Sequence, residues 1–257
     1  MFTPLRKSLS FIPLCILCLA LKPDTANLTP PFGRMNTLPA RTLWVWERPE
    51  DLRTLDPHTT AIATLDRTIL LGRTAIVIPR RQSFAYPAGI TRIAVVRIEA
   101  PELIGSGLEE STADLILDAL ADPNVAALQV DFDARRSQRA FYVRVLRDLR
   151  RRMPPNLPLS ITALASWCSS DDWLGGLPID EAVPMFFRME PDRRHATSDL
   201  PRFRIREPLC MGSIGISTRE QHSASLAGKR IYIFPDHGWR EDLPLITENK
   251  LAERTLP

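Results

Sequence analysis

The sequence predicts an α/β protein, a (β/α)8 TIM-like barrel over residues 41–240, with some helices short or missing and a β-hairpin inserted after the second strand. Three observations carry that reading. Eight short apolar runs recur along the chain, helical patterns separate several of them, and most runs are apolar at consecutive positions, as in strands buried on both faces of a parallel sheet. With 257 residues, 44% hydrophobic and 25% charged, the chain is long enough to bury such a core. The competing architecture is an open doubly wound sheet. Against it, no G-x-G-x-x-G follows the first run and no G-x-x-x-x-G-K-[ST] occurs anywhere.

The N-terminal elements read as a signal segment and a linker. Arg6 and Lys7 precede an apolar run from Leu9 to Leu21, the length of a signal-peptide core and short of a membrane span of ~20 residues. Residues 1–20 are therefore expected to direct export to the periplasm or the exterior. Cleavage after Ala20 fits the small residues Cys18 and Ala20, and Ala26 offers a second position. A lipoprotein or an uncleaved anchor are the alternatives. Residues 21–40, rich in Pro, Thr and Asn, read as a flexible linker.

The strands then follow in order: "TLWVWER" (42–48), "AIATLD" (61–66), "TRIAVVRIEA" (91–100), "VAALQVDFDA" (125–134), "LSITALASWC" (159–168), "EAVPMFFRM" (181–189), "LCMGSIGIS" (209–217) and "KRIYIFP" (229–235). After the second, "ILLGRTAIVIPRRQSFAYPAG" reads as a hairpin turning near Gly72 and Arg73. Between the third and fourth, "STADLILDALADP" is a helix capped by Ser111 or Thr112, with Leu115, Ile116, Ala119 and Leu120 on one face. Between the fourth and fifth, "SQRAFYVRVLRDLRRRMPP" places Tyr142, Val145, Leu146, Leu149 and Met153 at helical spacing and ends in a proline pair. Arg147, Arg150, Arg151 and Arg152 fall on its solvated face and last turn, where cations suit the helix dipole. The polar, proline-broken stretch 190–208 predicts no helix, and residues 241–257 read as a tail.

Composition limits the partners. The net charge of +3 is spread over 33 basic and 30 acidic residues, which argues against a nucleic-acid binder, and no integral membrane domain is expected beyond the signal segment. His58, His195, His222 and His237 stand apart without metal-ligand spacing, and no G-x-S-x-G marks a serine nucleophile, so neither a metal nor a cofactor is expected. Once the signal segment is set aside, Cys168 and Cys210 are the remaining cysteines. In an oxidising compartment they are candidates for a disulfide, the alternative being two unrelated buried thiols.

The candidate site lies where barrel enzymes keep theirs, at the C-terminal ends of the strands. Period-two alternation sets Asp131 and Asp133 on one side of the fourth strand, with Arg97 and Glu99 at the end of the third. Asp131, Asp133 and Glu99 are the candidate acids for catalysis. Trp46, Glu47, Arg97, Trp167, Arg188 and Trp239 are the candidate ligand contacts. Paired carboxylates serve glycoside hydrolysis and flat aromatic rings match the apolar face of a sugar, so a glycan is the ligand class this set suggests. The bland alternative is that Arg97 and Asp131 simply neutralise each other inside the barrel, and that the tryptophans are core. A non-catalytic barrel that binds a glycan or a protein is the competing function.

The segments "LWVWERPEDL", "AVVRIE", "QVDFDA", "LSITALASWC", "DDWL", "DEAVPMFFRM" and "RIYIFPDHGW" together resemble a bacterial family, domain of unknown function 3142. The resemblance implies a barrel similar in outline to the glycosidase superfamily and no particular activity. "QVDFDA" is also similar to the D-x-D-x-E strand end of chitinase-type glycosidases, with Asp131 and Asp133 at its two aspartates. Arg135 stands where that motif has its glutamate, so its proton donor is not carried over.

Overall fold

A computed structural model describes residues 31–187, 204–219 and 226–247. In chain order its strands are β1 (Arg41–Val45), β2 (Glu50–Asp51), β3 (Thr60–Leu71), β4 (Ala75–Pro79), β5 (Phe84–Ala85), β6 (Thr91–Glu99), β7 (Val125–Asp131), β8 (Leu159–Leu164), β9 (Glu181–Met185), β10 (Ser213–Ser217) and β11 (Arg230–Phe234). The helices are α1 (Pro31–Met35), α2 (Glu109–Leu117), α3 (Arg139–Arg152), α4 (Ala165–Ser169) and α5 (Trp239–Thr247). The eight strands β1, β3, β6, β7, β8, β9, β10 and β11 pair in that order, all in parallel, and β1 closes the ring against both β3 and β11.

Alternation along these strands sorts the side chains into an inner and an outer core. Trp44, Ala63, Ile93, Val95, Ala127, Val183, Tyr232 and Phe234 fill the barrel. Their neighbours in sequence, such as Ala94, Val96, Leu128, Val130, Ile161 and Ala182, point outward and pack under α2 and α3. Inside, buried polar groups are paired rather than left bare: the Trp44 indole donates to Gln129 Oε1 at 2.7 Å, and Gln129 Nε2 donates to Ser160 Oγ at 3.0 Å. At Gly215 a Cβ would lie 3.2 Å from the Phe234 ring, so the glycine lets that ring occupy the interior.

The inserted hairpin is present. β3 is 12 residues long, and only Thr60–Thr64 pair with β1. Its register with β6 slips between Leu65 and Arg67, a bulge at Asp66, beyond which β3 runs past the ring and turns back antiparallel as β4. The turn sits at Gly72–Thr74, where Gly72 N–H donates to Thr74 O at 3.0 Å. Gly105 donates its N–H to Gly72 O at 2.9 Å, and a Cβ there would lie 2.9 Å from the same oxygen, so only glycine permits the approach.

Some boundaries differ from those expected. α2 begins at Glu109, with Leu108 at the N-cap and Glu109 and Glu110 in the first turn, ahead of Ser111 and Thr112. Two acids near the helix N-terminus complement its dipole, which a search for a hydroxyl cap overlooks. Arg150 is half-buried and binds Asp180, unlike its solvated neighbours. Residues 31–40, expected as the end of a linker, close the N-terminal end of the barrel. Met35 and Leu38 are buried in the inner core, and Arg34 reaches Asp180 Oδ1 and Pro155 O at 2.7 Å each. The signal segment and residues 21–30 lie outside the described residues. α5 continues past residue 240 into the expected tail.

Cys168 and Cys210 are joined, with a Cα–Cα distance of 5.8 Å. The bridge fastens the end of α4 to the turn Pro208–Cys210, and Arg206 N–H donates to Cys168 O at 2.8 Å beside it. Among the described residues no helix is long and apolar enough to cross a membrane.

Candidate functional site

The C-terminal ends of β6 and β7 bring four of the expected residues together. Arg97 and Asp131 are cross-strand partners, and two positions further on stand Glu99 and Asp133. Asp131 is 4% exposed and fully engaged: Oδ2 accepts from Arg97 Nη1 at 2.8 Å and Oδ1 accepts from Thr162 Oγ1 at 2.7 Å. Arg97 gives its Nε–H to Glu99 Oε1 at 2.9 Å, so one guanidinium ties two carboxylates. Burial works against the Arg97 charge, but Asp131 and Glu99 outweigh it and raise its pKa. The half-buried Trp46 completes this side, with the Arg97 guanidinium 5.7 Å from its ring centroid.

Asp133 has no such partner. Among the described residues it makes no hydrogen bond or ion pair, and its side chain reaches solvent. The recess around it still strips away enough water, with Asp131 adding like charge, to hold its pKa above the ordinary carboxylate value, while Arg97 opposes the shift. That recess, of about 220 Å³, is lined by Arg97, Glu99, Asp131, Asp133, Arg135 and Gln138 among others.

Two of the residues that shape the site are not legible as site residues in the sequence. Thr162 lies on β8 beside Asp131, and the only hint is a hydroxyl at an inward position of an apolar strand. Gln138 is 3% exposed and joins two mouth loops, accepting from Arg135 N at 2.9 Å and donating to Pro101 O at 2.6 Å. Its signal is a capping-box glutamine three residues after Arg135 at the start of a helix.

Other expected contacts lie elsewhere. Glu47 is exposed but occupied, its Oε1 accepting from the backbone of Arg81 at 2.9 Å and Gln82 at 2.7 Å, which anchors the chain after β4 to the end of β1. Trp167 is not brought to the mouth. β8 ends at Leu164 and α4 begins at Ala165, so strand alternation no longer applies, and the ring is buried against Trp173 with centroids 4.8 Å apart. Nor is Trp239, fully buried at the start of α5, where its indole donates to Trp44 O at 2.7 Å and its backbone N–H to Glu50 Oε2 at 3.1 Å. Arg188 lies outside the described residues. Among the described residues no group of three or more His, Cys, Asp and Glu side chains is placed to hold a metal ion.

Residues 89–186, from the turn before β6 to the residue after β9, match the family model described as Domain of unknown function (DUF3142). The match covers less than half of the chain. The DUF3142 segment is narrower than the motifs that suggested it, yet it contains Arg97, Glu99, Asp131, Asp133, Arg135, Gln138 and Thr162, while Trp46, Glu47 and Trp239 fall outside it. No curated protein and no solved structure matches the chain.

Proposed function

We propose that the barrel mouth takes up a glycan and that Asp133 is the group that exchanges a proton with it. The observation that carries this is the contrast within one recess: Asp131 and Glu99 are bound to Arg97, while Asp133 has no partner among the described residues and holds its proton to higher pH than an ordinary carboxyl. Glycoside hydrolysis divides its work between an acid that carries a proton and a second carboxylate that stays ionised. Asp133 suits the first role. Glu99, in the same recess and ion-paired with Arg97, suits the second. Trp46 supplies an aromatic surface at the edge.

A second reading, binding without turnover, is favoured by Arg97 itself, which engages two of the three acids and leaves one free. Incubating the purified protein with a panel of cell-wall and storage glycans separates the two, with products read by mass spectrometry and binding by calorimetry. New shorter products that vanish in Asp133→Asn support hydrolysis. Saturable binding without products supports the second reading, and neither signal on any glycan removes both. The disulfide and the leader-like segment 1–20 support a location outside the cytoplasm. Recovery of the protein solely in the cytoplasmic fraction of expressing cells would contradict that placement.

A further inference from the structure

The sheet continues past the ring of eight strands, and its outermost member is β4. β4 pairs with β3 from Leu71↔Ala75 to Arg67↔Pro79 and with no other strand among the described residues, so its outer edge presents unpaired backbone groups. Its side chains alternate. Ala75 and Val77 pack half-buried against the outer core, whereas Ile76 and Ile78 are 58% and 38% exposed. An exposed arginine flanks each end, Arg73 in the turn and Arg81 after the strand, and neither guanidinium has an ion partner among the described residues.

Those charges decide what can be added. Antiparallel pairing of β4 with a second copy about Val77 would match Ile76 with Ile78, but it would also set Arg73 of one copy opposite Arg81 of the other at both ends. Like charges directly opposite destabilise such a pair. An extended segment with acidic residues at both ends meets the same arginines as partners. We infer that the β4 edge receives an extended peptide segment of another protein, apolar at alternate positions and flanked by acidic residues, which adds to the sheet as its next strand. The backbone ladder supplies affinity, Ile76 and Ile78 contact the apolar positions, and Arg73 and Arg81 select the flanks. Pro79 lacks an N–H, which confines the ladder to the strand before it and keeps the interaction modest.

The test uses the full chain and a fluorescein-labelled nonapeptide of alternating valine and threonine with glutamates at both ends. Saturable anisotropy is expected, with amide-exchange protection confined to residues 74–80. The same peptide with lysine flanks should bind about tenfold more weakly. Arg73→Glu/Arg81→Glu should reverse that preference, and Ile76→Lys/Ile78→Lys, at exposed positions, should abolish binding of the glutamate peptide without lowering Tm. Absence of saturation up to about 1 mM, equal binding of both peptides, or protection elsewhere would overturn the inference. So would a concentration-dependent dimer protected at residues 74–80, which would assign the edge to a second copy.

Discussion

Two arginine–carboxylate pairs lie inside the barrel at opposite ends, and they use their hydrogen-bonding capacity to different degrees. At the N-terminal end Arg230 binds Glu181 Oε2 at 3.3 Å and gives its other donors to the carbonyls of Met35, Leu38 and Pro39, while Tyr232 donates to Glu181 Oε1 at 2.8 Å. The pair is sealed, with side-chain exposures of 9% and 5%. Burial pushes the Glu181 pKa up despite Arg230 and Tyr232. At the mouth Arg97 is 31% exposed and divides itself between Asp131 and Glu99, and the adjacent Asp133 has no partner among the described residues. One pair is closed on itself and serves the scaffold. The other leaves an acid free beside a fixed charge, an arrangement found at ligand sites more often than in cores.

That contrast orders the effects of mutation. Arg230→Ala should be the most damaging, because it leaves a buried carboxylate without its cation and three carbonyls without their donor. A loss of about 3–5 kcal/mol in urea unfolding is expected, and Arg230→Met/Glu181→Gln should recover part of it. Asp131→Ala should cost less, about 2–3 kcal/mol, since Arg97 keeps Glu99 and reaches water. If Asp131→Ala proves as costly as Arg230→Ala, the mouth pair is scaffold too and the comparison fails.

Asp133→Asn should have the smallest effect, within about 1 kcal/mol at neutral pH. Its sign follows from the raised pKa. Protonated Asp133 favours the folded state below the unfolded pKa, and that contribution disappears as pH rises through the higher folded value. At neutral pH the ionised side chain therefore opposes folding, and asparagine should be neutral to stabilising. The advantage should shrink or vanish at about pH 3, where the parent is protonated in both states. Tm differences between variant and parent at the two pH values check this, and a variant clearly less stable than the parent at neutral pH would place Asp133 in the scaffold.

The sequence carries the ring well because each strand of a parallel barrel must be apolar on both faces, a requirement that leaves runs such as "TRIAVVRIEA" and "VAALQVDFDA" unmistakable. Alternation also carries Arg97 and Asp131 to adjacent positions, since both lie inside regular strands in register. It fails where the period changes. Trp167 sits three residues past the end of β8, within a helix, and Trp239 opens another, so neither inherits the direction of its strand. Thr162 and Gln138 are hidden for a different reason. Their roles depend on neighbours 31 and 37 residues away, which only the folded barrel supplies. Residues 31–40 look like a linker because local composition cannot reveal that Arg230 will hold their carbonyls.

Arg230 also gives the molecule a direction. By gripping the carbonyls of Met35, Leu38 and Pro39 it brings the chain into the barrel at the end opposite Asp133. A tether fixed to residues 31–40 and a ligand held at Asp133 would therefore meet opposite ends of the barrel, so neither need obstruct the other.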